Sequence, residues 1–125
     1  MHRNHFAIGL LLLGLACTAD AAAGYEDLDA PAFARAIQAP GVVLIDVRTP
    51  QEYAAGHLHG ARLMEYYESN FRSRLLALNR SQPVSVYCHS GVRSAAAARV
   101  LSEAGFQRVL NLRGGILSWQ GTMER

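Results

Sequence analysis

Hydrophobic residues along this chain follow two rhythms. Short continuous runs stand at Val42-Val43-Leu44-Ile45, Val84-Ser85-Val86-Tyr87 and Val109-Leu110-Asn111-Leu112. Each has the length and composition of a strand buried on both faces of a parallel sheet. Glu26-Asp27-Leu28 reads as a short edge strand, and Ala61-Arg62-Leu63-Met64 as a further short strand. Between these runs the period lengthens. Phe33, Ala36 and Ile37 share one face of a helix that Asp29 caps, with Pro31 in its first turn and Pro40-Gly41 at its end. Thr49 caps a helical turn that starts at Pro50 and stops at Gly56. Phe71, Leu75 and Leu78 recur at helical spacing across residues 70–78. An alanine-rich helix around residues 95–101 is closed by Gly105, and a last helix, residues 116–120, follows the Gly114-Gly115 turn. Strands alternating with helices predict one α/β domain with a mainly parallel central sheet and helices on both faces.

The N-terminal stretch breaks this pattern. Met1-His2-Arg3-Asn4-His5 is polar and weakly basic, and residues 6–16 are an apolar run containing four consecutive leucines. Small residues follow, with Ala19-Asp20-Ala21 and Ala21-Ala22-Ala23 both fitting an Ala-x-Ala cleavage site. This is the layout of a secretory signal peptide, and the run is short for a membrane span. The expected organisation is a cleaved leader over residues 1–23 and a single domain over residues 24–125. The expected destination is the periplasm. Leu15-Ala16-Cys17 partly fits a lipoprotein box, with Gly14 where that pattern prefers Leu, so lipidation at Cys17 is the alternative to plain cleavage. With either outcome Cys17 is unavailable to pair with Cys88, and the mature chain carries one free thiol in an oxidising compartment.

Composition narrows the chemistry. The net charge of +2 is too small to argue for nucleic acid. All twelve basic residues are arginines. The absence of lysine excludes a Schiff-base lysine and a Walker-type phosphate loop. What remains is Tyr87-Cys88-His89-Ser90-Gly91-Val92-Arg93-Ser94: a strand ending on a cysteine, a tight loop that Gly91 permits, and a helix start that Ser94 can cap. A thiol there faces backbone N–H groups and the positive end of a helix dipole, which stabilise a thiolate. The bland alternative is a buried structural cysteine. Cys88 stands at the carboxyl end of its strand, where parallel sheets bind ligands, and Asp46 and Arg48 follow the carboxyl end of theirs.

Three segments resemble the rhodanese family of sulfurtransferases, in its small single-domain periplasmic form of the phage-shock type. Asp46-Val47-Arg48-Thr49-Pro50-Gln51-Glu52-Tyr53-Ala54-Ala55-Gly56-His57-Leu58-His59-Gly60-Ala61 is similar to that family's D-V-R-x-P-x-E-Y-x-x-G-H-I-x-G-A signature. The Cys88 loop, closed by Arg93-Ser94, is similar to its active-site loop. Leu112-Arg113-Gly114-Gly115-Ile116-Leu117-Ser118-Trp119 is similar to its L-x-G-G-x-x-x-W ending. Two departures stand out: Leu63-Met64-Glu65 replaces an Ile-Pro pair, and His89 and Val92 fill positions that often carry a second cation. The resemblance implies transfer of a sulfane sulfur from thiosulfate or a similar donor to cyanide or a thiol acceptor through a persulfide on Cys88. His89, Ser90, Gly91, Val92 and Arg93 are then the substrate-binding loop, with its amides holding the anionic sulfur and Arg93 adding charge and fixing the loop. Neither a cofactor nor a metal is required, and the expected state is a monomer.

Rival readings follow from the same residues. Phosphatases and arsenate reductases use Cys-x5-Arg, whereas Arg93 lies five positions after Cys88 and gives Cys-x4-Arg. A non-enzymatic sulfur-binding or redox-sensing module is the other alternative. Asp46 and Arg48 either touch substrate or form structural ion pairs, with Glu52 the expected partner of Arg48. His57 and His59 have metal-like spacing but are expected in a structural turn. His89 is either a proton shuttle or a solvent-facing gate. Trp119 is expected in the core, and Arg113 at the surface or on a cap.

Overall fold

The computed structural model describes residues 24–125. The leader, its cleavage site and Cys17 lie outside the described residues. Five strands form one wholly parallel sheet: β1 (Glu26–Leu28), β2 (Val43–Asp46), β3 (Arg62–Leu63), β4 (Val84–Tyr87) and β5 (Val109–Leu112), in the spatial order β1-β5-β4-β2-β3. β2, β4 and β5 are buried at every position, as their unbroken apolar runs require.

Alternation along those strands sends side chains to two cores. Val43, Ile45, Val84, Val86 and Val109 meet α3 (Phe71–Leu76) and α4 (Val92–Glu103) through Phe71, Leu75, Ala97, Ala98 and Leu101. Leu44, Tyr87, Leu110 and Leu112 meet Phe33 of α1 (Ala30–Ala36) on the opposite face, with Tyr53 of α2 (Pro50–Ala55) packed against the same cluster. Helices therefore cover both faces, as expected.

Local signals explain most boundaries. Asp29 accepts a hydrogen bond from the Ala32 amide. Thr49 and Glu52 form a reciprocal capping box. α4 ends in a Schellman arrangement, with Phe106 N–H donating to the Leu101 carbonyl and Gly105 N–H to that of Ser102.

Several expectations shift. β2 begins one residue later and takes in Asp46, β3 shrinks to two residues, and α3 is trimmed at both ends. α1 stops at Ala36, short of Pro40-Gly41. The predicted final helix is a 3-10 turn over Gly115–Ser118. Gly114 and Gly115 both have positive φ and Trp119 is extended, leaving no room for an α-helical turn to propagate. Trp119 packs against the core from its edge, half-buried and edge-to-face on Phe33 at 6.5 Å.

β2 and β4 are neighbours whose onward connections leave in opposite directions, β2 toward β3 and β4 toward β5. The crevice at their carboxyl ends is the switch point of the sheet. Val47 N–H bridges it to the Tyr87 carbonyl, and Cys88 follows directly.

Candidate active site

The loop after β4 closes around one sulfur atom. Cys88 has no exposed surface. Its Sγ accepts from Gly91 N–H at 3.0 Å and Ser94 N–H at 3.4 Å, and lies 3.3 Å from Ser94 Oγ. Gly91, at φ 98°, is the N-cap of α4, so the helix starts two residues before Ser94. The expectation that Ser94 caps the helix is therefore corrected. Ser94 sits inside the first turn, fully buried, and its hydroxyl has a choice of two acceptors, Sγ or the Gly91 carbonyl, each at 3.3 Å. A thiolate draws that proton to sulfur. Burial by itself pushes the Cys88 thiol up, but the Ser94 hydroxyl and the amides of Ser94, Gly91 and Ser90 outweigh it, and the pKa falls below its ordinary value. The thiolate is thus held mainly by neutral dipoles. Among the described residues Cys88 is the one cysteine, and it is unpaired.

The second wall is the 3-10 turn. Ile116 N–H donates to the Cys88 carbonyl at 3.0 Å and Leu117 N–H to the His89 carbonyl at 3.2 Å. With both carbonyls bound outward, the amides that follow are free to face sulfur. Gly115 is required for this approach. A Cβ there would stand within 2.6 Å of the Cys88 carbonyl oxygen and closer still to the His89 carbonyl, at a positive φ of 59°. Gly115→Ala is therefore expected to destabilise the domain by roughly 2–4 kcal/mol through overpacking and backbone strain. It should also cost about a hundredfold in any chemistry at Cys88, because the loop must move. Urea denaturation and the rate of Cys88 modification check this, and a variant matching wild type in both would show that the clamp is not needed.

The long signature after β2 holds the other side. Asp46 and Arg48 are buried and form an ion pair at 2.7 Å, and Arg48 also donates to the Gly56 carbonyl at 2.6 Å. The structural reading of this pair stands, but its expected partner is corrected. Arg48 binds Asp46, and Glu52 reaches across to Arg93 with both oxygens, at 2.8 and 3.0 Å. The cap supplies the reason: Thr49 orients the Glu52 carboxylate toward the loop. His57 stacks on Tyr53 at 3.7 Å and points Nδ1 at the Tyr53 carbonyl, so that nitrogen carries the proton. His59 contacts the Glu124 carboxylate. Both histidines lie in a structural turn, and among the described residues no group of His, Cys, Asp or Glu is placed to hold a metal ion. No helix among the described residues is long and apolar enough to cross a membrane.

Glu52 is held at about 2, first by its hydrogen bonds to Arg93, with burial opposing and Thr49 assisting. The folded value lies below the ordinary 4.5, so the stability it contributes is complete above that pH and is lost as pH falls toward 2. The gap in urea midpoint between wild type and Glu52→Gln is therefore expected to be constant above pH 4.5 and to close on acidification toward 2. An unchanged gap across that window would contradict the assignment.

Of the predicted loop, Gly91 touches sulfur directly and Ser90 contributes through its amide. His89 and Val92 are exposed, and Arg93 is committed to Glu52. Arg113 braces β1 by donating to the Asp27 carbonyl at 2.9 Å. Ser94, Glu52 and Gly115 are the members that sequence reasoning assigned elsewhere or left out. Outside the signature segments the sequence shows Glu52 only as a turn partner for Arg48 and Gly115 only as part of the Gly114-Gly115 turn, and neither signal reveals a role at the loop. Beside the loop opens a cleft of about 640 Å³, lined by Arg48, Glu52, His89, Met123, Glu124 and Arg125, among others.

Comparison with known proteins agrees with this geometry. The profile of the family described as Rhodanese-like domain matches residues 29–122. A protein named Sulfurtransferase from Allochromatium vinosum is 40% identical over 78 residues, covering 62% of this chain and 71% of its own. The thiosulfate sulfurtransferase GlpE of Pseudomonas fluorescens is 36% identical over 92 residues, 74% of this chain and 83% of its own. The match to the uncharacterised protein YqhL of Bacillus subtilis is 38% identical over 65% of this chain, but spans only 63% of that protein. The crystal structure of a rhodanese-related protein from Thermoplasma volcanium superposes with a TM-score of 0.66 at 30% identity, covering 76% of this chain and 90% of that one.

Proposed function

Because the chain belongs to the rhodanese-like family, with sulfurtransferases among its relatives, we propose that it moves sulfane sulfur from thiosulfate or a similar donor to cyanide or a thiol through a persulfide on Cys88. The observation that carries this reading is the buried Sγ ringed by N–H and O–H donors. The Cys88 thiolate attacks the outer sulfur of thiosulfate. The new Sγ–S bond forms as the S–S bond breaks, and its electron pair leaves on sulfite. The acceptor then attacks the outer sulfur of the persulfide and restores the thiolate. Loop donors stabilise charge on sulfur in each step, as an oxyanion hole does for oxygen. A loop of this size also disfavours the phosphatase reading, because Arg93 faces Glu52 and does not reach around a tetrahedral anion.

The apolar run of residues 6–16 and the Ala-x-Ala sites that follow support export with cleavage near residue 23, and with it a periplasmic reaction. Two-step transfer predicts ping-pong kinetics. Initial rates of thiocyanate formation, plotted reciprocally against thiosulfate at several cyanide concentrations, should give parallel lines. Lines that intersect would rule out a free persulfide enzyme.

A further inference from the structure

We propose that the sulfur donor best suited to this site carries its sulfane sulfur on an apolar group and bears a single negative charge, as an organic persulfide or an aryl thiosulfonate does, in preference to the thiosulfate dianion. This rests on the sulfurtransferase reading above and specifies its substrate class.

Two independent observations support it. The first is electrostatic. Arg93 is the loop's own guanidinium, and both carboxylate oxygens of Glu52 occupy it. The donors around Sγ are neutral hydroxyl and amide groups that converge on one sulfur atom. Arg48, also on the cleft, is committed to Asp46 and the Gly56 carbonyl. The exposed charges further out are of both signs, Glu124 and Arg125. Among the described residues a dianion leaving water for this mouth meets no dedicated counter-charge, and it has Glu52 just behind Arg93, which is costly. A single charge centred on the sulfur itself is what the loop can hold.

The second observation is apolar. Four large hydrophobic side chains are exposed among the described residues: Tyr67, Val92, Leu117 and Met123. Isolated exposed residues of this kind are ordinary, but these four all border one loop. Val92 is in it and is 75% exposed. Leu117 follows the clamp, and its N–H binds the His89 carbonyl. Tyr67 lies under the Arg93 guanidinium, 5.8 Å from its ring centre. Met123 shares the cleft with His89. An apolar substituent on the donor would lie against part of this rim while its outer sulfur enters the cradle.

The reaction balances without an oxidant or reductant. Cys88 thiolate bonds to the outer sulfur, the donor's S–S bond breaks, and the electron pair leaves on the organic thiolate or sulfinate.

The test measures the first half-reaction by intact mass, following the gain of one sulfur against donor concentration at fixed ionic strength. The donors are thiosulfate, methanethiosulfonate and benzenethiosulfonate. The two thiosulfonates share head group and charge and differ in the apolar group. Each rate is divided by that of the same donor with free cysteine, to remove intrinsic reactivity. Benzenethiosulfonate is expected to half-saturate the wild-type protein at a concentration about tenfold below either of the others. Leu117→Ser should bring the ratio between the thiosulfonates toward one, and Glu52→Gln should lower half-saturation by thiosulfate more than by benzenethiosulfonate. Thiosulfate saturating as readily as benzenethiosulfonate would overturn the donor class while leaving sulfur transfer intact. An absence of any sulfur adduct from all three donors would overturn sulfur transfer itself.

Discussion

Cys88→Ser should keep the fold and lose sulfur transfer. A serine hydroxyl fits the volume of the thiol and finds the same partners, the Gly91 and Ser94 amides and the Ser94 hydroxyl. Stability should therefore change by no more than about 1 kcal/mol. The chemistry has no such substitute. Serine is not ionised at neutral pH, and its neutral hydroxyl does not displace sulfite from thiosulfate to form the weaker O–S bond. Turnover should fall by roughly a thousandfold or more, to the background rate of donor with acceptor. Circular dichroism and thiocyanate formation are the two readouts. Wild-type turnover in a folded Cys88→Ser protein would remove Cys88 from the mechanism.

The second large effect is on stability. Asp46→Ala should cost about 3–5 kcal/mol, because it leaves the Arg48 guanidinium buried without its counter-ion. Asp46 has no exposed surface and Arg48 is 4% exposed. The carboxylate accepts from both Nε and Nη2 of Arg48 and from its backbone N–H. The remaining bond to the Gly56 carbonyl satisfies one donor and no charge. Arg48 also packs against the Tyr87 ring at 5.6 Å, and the Tyr87 hydroxyl accepts from Leu58 N–H. Loss of the pair therefore loosens the strand that ends on Cys88. Removing both charges, as Asp46→Leu with Arg48→Met, should restore much of the loss, since no lone charge remains buried. Denaturant midpoints for Asp46→Ala and for the Asp46→Leu, Arg48→Met double variant decide this. A single-variant loss below about 1 kcal/mol would contradict the buried-pair account.

Much of this architecture was legible in the sequence, and the reasons are local. Continuous apolar runs marked β2, β4 and β5, and Asp29 and Thr49 announced their helices. The position of Cys88 at a strand end points to the candidate site from the sequence alone. What escaped depends on groups far apart in the chain. Glu52 and Arg93 are separated by 41 residues, and nothing near either one shows that the capping carboxylate has a second partner. A turn brings Glu52 near Arg48 in the sequence, yet the buried Asp46 two residues before it is the stronger claim on a guanidinium that cannot stay unpaired. Ser94 was legible as a cap by its type and place. Only Gly91, by starting the helix early, turns its hydroxyl to the thiol. Gly115 belonged to a recognisable Gly-Gly turn, but the carbonyls that forbid a side chain there come from the loop itself.

The persulfide on Cys88 is the central claim, and intact mass of the purified protein tests it most directly. After thiosulfate treatment and removal of excess donor, the account predicts a gain of one sulfur atom on the peptide containing Cys88, lost on adding cyanide with stoichiometric release of thiocyanate. A protein that forms thiocyanate while its mass never changes, or whose added sulfur cyanide cannot remove, would contradict it.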